Sequence, residues 1–344
     1  MSLRSKRLIL LLTAFVFLVA GVGIGSVSVS PLDIGRIFAH KLWGAALPAD
    51  FPSVYPGLIW SIRLPRVLLA FLVGAGLSVS GAVMQSVLKN PLASSFGLGV
   101  SSGAGLGAAV LIILGVGGGL LGIFLMPLVC LLCGLGAVAL AMAVSAKMDR
   151  GLSNNTIILT GMVLSLFLNA LMTTLAAANP QYTQRLMLWQ LGSFSAKEWT
   201  QVAPVAVVVP LCVLVFCAYG RELDLMTFGE EQAAVLGVDL KRTKWVLICV
   251  VALLTGTCVA FSGIIGFVDL IAPHVVRRFF GPGHRRLIPL CAVFGGTFMV
   301  ACDLAARTLA SPSEIPIGSI TALIGAPFFI YVFLANRKGA KAKC

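Results

Sequence analysis

Apolar residues in this chain fall in long unbroken runs, and polar residues gather between them. A helix needs about 20 apolar residues to cross a hydrocarbon core of about 30 Å. Ten runs qualify: 8–28, 64–87, 95–117, 119–146, 156–178, 201–219, 245–263, 267–280, 287–308 and 316–335. The eighth is short and contains Pro273, which is expected to break it. The first run follows Arg4, Lys6 and Arg7 and ends in small residues around Ser26 and Ser28, the layout of a signal peptide. Its apolar stretch exceeds the roughly 7–15 residues of a signal sequence, so it reads as a retained helix. The pattern predicts an all-α, polytopic membrane protein with about ten transmembrane helices, a single domain over 1–344.

Composition narrows the class. Of 344 residues 59% are hydrophobic and 11% charged, against roughly 25% charged in soluble domains. A soluble globule of this size could not cover itself, which excludes an ordinary soluble enzyme and a disordered chain. The net charge of +13 would suggest nucleic acid in a soluble protein. Here it follows the membrane rule that Lys and Arg mark cytoplasmic loops. With ten spans and both termini inside, 18 of the 25 Lys and Arg fall inside and 7 outside. Arg63, Arg66 and Arg307 are on the wrong side for that rule and need another reason.

Small residues inside the runs read as packing devices. Gly99, Gly103 and Gly107 repeat every four residues and lie on one helix face, where they let backbones approach. No G-x-x-x-x-G-K-[ST] occurs, so the chain carries no phosphate loop of its own. Eight cysteines lie within apolar runs; Cys130-x-x-Cys133 has metal-like spacing but no second pair or His cluster, and Cys344 sits at the tail. A faint echo sets Ser80-Gly81 and Pro91 against Ser262-Gly263 and Pro273, the arrangement of an inverted repeat.

Ionisable groups within the runs are few, and beyond the arginines near other run ends they are Asp269, His274, Asp303 and Arg307. Asp303 and Arg307 are i,i+4 and can pair on one face; His274 suits packing or capping; Asp269 has no evident partner, with His274 or an Arg on a neighbouring helix as candidates. Ion-driven transporters usually carry an embedded relay of acids or histidines. One isolated Asp argues that the energy comes from outside the chain, from a separate ATPase.

The longest charged segment between runs is 220–244, with Gly229-Glu230-Glu231-Gln232-Ala233-Ala234-Val235-Leu236-Gly237-Val238 at its core. Ala233 and Leu236 can face one way and Glu230 and Glu231 another, with Gly237 ending a short helix. Such an element can insert into a partner's groove, apolar side down. A plain solvated loop is the alternative.

These residues together resemble the FecCD type of permease subunit, found in bacterial ABC importers for iron-siderophores, haem and cobalamin. The resemblance covers about 60–335. It rests on Arg63-Leu64-Pro65-Arg66, Gly81-Ala82-Val83-Met84-Gln85, Asn90-Pro91-Leu92-Ala93, Leu98-Gly99-Val100-Ser101-Ser102-Gly103-Ala104, Trp189-Gln190-Leu191-Gly192-Ser193 and the Gly229–Gly237 loop. It continues through Gly266-Phe267-Val268, Pro273-His274, Asp303-Leu304-Ala305-Ala306-Arg307, Glu314-Ile315-Pro316-Ile317-Gly318 and Gly325-Ala326-Pro327-Phe328-Phe329.

The resemblance implies the type II ABC importer permease fold in a bacterial cytoplasmic (inner) membrane. It also implies a second permease subunit, identical or a paralogue, two ATP-binding cassette ATPase subunits and an extracytoplasmic substrate-binding protein. Arg63, Arg66 and Arg307 would pair with acids on that binding protein. Gly229, Glu230, Glu231, Ala233, Leu236 and Gly237 would dock on the ATPase. Asn154 and Asn155 would narrow the cytoplasmic exit, and Ser165 and Asn169 would line the path. The cargo is expected to be an iron(III)-siderophore, with haem and cobalamin as alternatives; no cofactor, catalytic residue or nucleic-acid partner is implied. The chain departs from the family at Asp269, where Gly usually follows Gly-Phe-Val. That departure leaves open an ion-coupled transporter using Asp269. A receptor-like subunit that moves nothing is a further rival, and an intramembrane enzyme the remotest.

Overall fold

The computed structural model describes residues 2–25, 27–116, 120–149 and 151–341, with side chains placed outside 120–123 and 333–341. Ser26, Arg150 and Cys344 therefore lie outside the described residues, as do the side chains of Arg337, Lys338 and Lys341. The regular elements of the described residues are all helices, with no strand among them. In order the helices are α1 (Leu3–Gly23), α2 (Pro31–Trp43), α3 (Val54–Gly57), α4 (Leu64–Val87), α5 (Val100–Ile113), α6 (Leu120–Met148), α7 (Asn154–Ala178) and α8 (Thr183–Gln190). They continue as α9 (Trp199–Ala218), α10 (Gly220–Phe228), α11 (Glu230–Val235), α12 (Leu240–Ser262), α13 (Val268–Phe280), α14 (His284–Thr308) and α15 (Ile317–Lys341).

Seven helical stretches among the described residues are long and apolar enough to cross a bilayer: α1, α3–α4, α6, α7, α9, α12 and α14. The other three expected spans are shorter over their described apolar lengths, at 100–113, 268–280 and 317–332. Pro273 does not break α13, which runs continuously from 268 to 280. The run from 64 begins earlier than expected. A π-helical turn over Leu58–Arg63 joins α3 to α4 into one helix of 34 residues. Pro65 follows this turn and has no N–H to donate, which favours a local change of hydrogen-bond register.

The core is built around α4. Its apolar residues surround the whole helix, so it suits a central position, and 83% of its apolar window is buried. It meets α14 through facing glycines: a Cβ on Gly74 would lie 2.3 Å from the Gly295 carbonyl oxygen, and one on Gly295 2.5 Å from the Gly74 carbonyl oxygen. One turn along, the Ser78 hydroxyl donates to the Cys291 carbonyl at 2.6 Å. Small-residue contacts of this kind bind helices where lipid offers no hydrophobic drive. Two of the predicted face glycines do the same on α5, where Cβ atoms at Gly103 and Gly107 would lie 2.6 and 3.0 Å from the Cys133 carbonyl oxygen and Sγ. Gly99 instead takes φ +90° and starts the helix.

The two short helices α5 and α13 begin inside the bundle. The segment before α5 turns back from the end of α4 and packs Gly97 and Leu98 against Gly161 of α7. The segment before α13 turns back from Gly263 and enters the helix through Phe267 at φ +69°. The echo read from the sequence does not give this correspondence. Gly81 is within a helix while Gly263 is a cap, and Pro91 lies in a loop while Pro273 lies in a helix.

Candidate functional site

Arg63, Arg66 and Arg307 come together at one end of the bundle, but as a buried network. Arg63 donates to the Val22, Gly23 and Val27 carbonyls at 3.2, 2.9 and 2.5 Å. Arg307 donates to the Gly21 carbonyl and lies 3.5 Å from Asp303. Arg66 holds two carboxylates, with Nε bifurcated to both Asp303 oxygens at 2.9 and 3.2 Å and Nη1 and Nη2 bidentate to Glu314 at 2.7 and 3.1 Å. Planar fork geometry makes Arg suited to such pairing. Asp303 is fully buried. The i,i+4 pairing expected for Asp303 and Arg307 is present, yet Arg66 is the closer partner.

Within this chain the three arginines thus direct hydrogen bonds inward. Arg63 and Arg307 are committed to the carbonyls that end α1. Arg66 lines a surface opening, a cavity of about 270 Å³ shared with Glu314, Ser193 and Ser195. Glu314 is exposed, and its hydrogen bonds from Arg66 hold its carboxyl below the usual glutamate range. The Trp189–Ser193 motif braces the same end, with the Leu191 carbonyl accepting from Gly318 N–H at 2.9 Å and Ser193 N–H donating to Ser262 at 2.8 Å.

Asp269 has partners that its surroundings in sequence do not show. One carboxylate oxygen accepts from the Ser94 hydroxyl at 2.5 Å and from the Ser95 N–H and hydroxyl at 3.0 and 3.2 Å. Among the described residues neither His274 nor an arginine bonds it; His274 packs edge-on against Phe328 at 5.9 Å. The carbonyl of Asp269 is the one that residue 273 would bond in a regular helix, and Pro273 cannot donate. Gly81 closes on that carbonyl, where a Cβ would lie 1.8 Å away. Gly81, Pro273 and Asp269 are thus one contact that locks α4, α13 and the 94–95 loop together.

At the opposite end, 220–244 is ordered. Gly237 at φ +87° ends α11 as expected. The Val238 N–H bonds the Ala233 carbonyl and the Gly237 N–H the Ala234 carbonyl, each at 3.0 Å, the paired closure of a Schellman cap. The faces differ from the expectation. Ala233 is buried, whereas Phe228, Val235 and Leu236 stand 76%, 88% and 60% exposed. Glu231 is exposed, but Glu230 turns inward and meets Lys244 at 3.0 Å. Lys244 is fully buried and also donates to the Leu152 carbonyl at 2.8 Å. Nearby, Asp224 on α10 accepts from His284 N–H at 2.9 Å and pairs with Nδ1 at 2.6 Å, while His284 Nε2 meets Ser86.

Asn154 and Asn155 open α7 beside this end, Asn154 half-buried and Asn155 exposed. Ser165 bonds back to the Gly161 carbonyl of its own helix at 2.8 Å, and Asn169 is exposed. Only 17% of the apolar window of α7 is buried, so this helix faces something beyond the single chain. Sequence reasoning missed Lys244, His284 and Glu314 as network members. A lone Lys among the basic residues 241–244 reads as one more surface charge.

The fold and both ends define a multi-pass, all-helical membrane permease. Comparison with known proteins sharpens this: residues 10–335 match the FecCD transport family, and the chain belongs to it. It is 38% identical over 99% of its length, and 97% of the relative, to the uncharacterized ABC transporter permease protein YvrB of Bacillus subtilis (strain 168). It is 38% identical to the cobalamin import permease BtuC of Halobacterium salinarum, covering 84% of this chain and 77% of that one. Among solved structures, a transporter described as of the metal-chelate ABC type, in an inward-facing conformation, superposes with a TM-score of 0.82 at 33% identity, covering 94% and 97% of the two chains. PsaBC from Streptococcus pneumoniae shares the fold at a TM-score of 0.55 and 19% identity, over 78% and 90%. The chain is an ABC importer permease, which sets aside the ion-coupled transporter and the receptor-like subunit.

Proposed function

We propose that this permease carries an intact metal chelate, first a ferric siderophore, from an external binding protein into the cytoplasm. It does so as one of two permease subunits driven by a separate ATPase. The observation that carries the reading is the capped α11 with Phe228, Val235 and Leu236 outside the spans and exposed. An apolar knob on an ordered scaffold suits a groove on a partner. The excess of Lys and Arg in the same segments supports placing this end and both termini in the cytoplasm.

In this reading the arginine end faces outward. Arg63 and Arg307 hold its shape, and Arg66 with Glu314 forms the part that a docked protein meets. The exposed side of α7, with Asn154, Asn155, Ser165 and Asn169, faces the path and the second subunit. Movement of the α10–α11 segment then shifts helices as rigid bodies and switches access. Cobalamin is the second reading, favoured by the BtuC relatives.

The test reconstitutes the permease with its ATPase and binding protein and follows radiolabelled ferric siderophore and cyanocobalamin. ATP-dependent uptake of the siderophore supports the first reading, and uptake of cyanocobalamin alone selects the second. Substituting Leu236→Glu should abolish copurification of the ATPase; unchanged assembly would remove α11 from the interface.

A further inference from the structure

Lys244 joins the start of α11 to the segment before α7. Its ammonium is fully buried in the first turns of α12. It lies 3.0 Å from Glu230 Oε2 at the start of α11 and 2.8 Å from the carbonyl of Leu152, just before α7. A buried ammonium is expensive unless paired and hydrogen-bonded, so moving either partner alone leaves it uncompensated. The Leu152 end is a poised one. Leu152 takes φ +52°, a left-handed conformation that non-glycine residues rarely adopt, with its side chain fully buried. Asp149 closes the turn around it, its carboxylate accepting from the Gly151 and Ser153 N–H groups at 2.8 and 2.9 Å. Ser153 then opens directly into Asn154 and Asn155.

We propose that Lys244 is a positioning residue that transmits displacement of α11 to the segment 151–155, so that the coupling segment and the mouth of α7 move as one unit. The inference rests on α11 being the ATPase-docking element. When α11 shifts with its partner, the Glu230 carboxylate draws the ammonium, and the ammonium carries the Leu152 carbonyl with it. The backbone around Leu152 has a strained conformation to leave, which makes it a natural hinge. The second tie in this region, Asp224 to His284, runs to α14 and does not reach α7.

The experiment measures hydrogen–deuterium exchange in the complete transporter in nanodiscs, with and without ATP and Mg²⁺. Amides of 230–238 and of 151–155 should both change protection on nucleotide addition. In Glu230→Gln and in Lys244→Met, 230–238 should still respond, while the response at 151–155 falls at least tenfold. The double variant should be no worse than either single, because the two groups act as one link. Lys244→Arg, which keeps charge and donors, should restore part of the response. A role confined to stability would lower the melting temperature and leave the response at 151–155 intact; that result in Glu230→Gln overturns the proposal. Absence of any response at 230–238 in the parent would instead sink the docking role of α11.

Discussion

Arg66 carries more of the structure than any other charged side chain at its end, because two carboxylates from distant segments converge on it. Removing one member of a buried ion pair strands the others, at a cost of about 3–5 kcal/mol. Arg66→Ala should therefore lose stability on that scale in thermal or denaturant unfolding, even with no binding protein present. A variant as stable as the parent would return Arg66 to a purely external role. Glu314 supplies a pH test. Its folded pKa is depressed by Arg66, so its contribution is present above the ordinary glutamate value, near 4.3, and is lost as pH falls through the folded value. Parent stability should drop on acidification, and Glu314→Gln should flatten part of that drop. Exposure of the carboxylate keeps this effect small. The i,i+4 spacing made the Asp303–Arg307 pair readable from sequence. Arg66 lies 237 and 248 residues from its two partners, and no local pattern brings them together.

Among the helices, α13 shows how one residue can hold three elements. Its proline frees the Asp269 carbonyl, its acid bonds the 94–95 loop, and Gly81 lets α4 approach. Gly81→Val should destabilise the fold more than the same change at Gly136, beside which a Cβ would meet nothing; comparison of melting temperatures checks this. Equal effects would mean the α4–α13 contact yields without cost. The apolar runs foretold the existence of every long helix, because their lengths match the bilayer. They did not foretell α2. Helix α2 is amphipathic, buries Ile34 and Ile37, and is capped by Ser30 and by Gly44 at φ +69°. Its mixed composition reads as loop until the rest of the bundle offers it a surface. The true outer face of α11 was missed for the same reason. A six-residue helix has no inherent inside, and Lys244 decides which side turns inward.

For the molecule as a whole, the expected topology is testable by labelling. Single cysteines at Glu231 and Arg221, in a background without the native cysteines, should react with impermeant maleimide only from the cytoplasmic side, and one at Ala45 only from outside. Reversed labelling at Glu231 would overturn the placement of α11. By itself the sequence determined that this chain lives in lipid, roughly how often its apolar runs could cross, and which family it joins. Those follow from hydrophobic length, charge distribution and ordered local motifs, each contained within a few tens of residues. Only the tertiary structure decided that the arginines face inward to Asp303, Glu314 and the end of α1, that Asp269 ties α13 to the 94–95 segment, and that Lys244 spans from α11 to the segment before α7. The physical reason is common to all three. A buried charge must find its counterpart wherever the chain returns, and the fold alone sets where it returns.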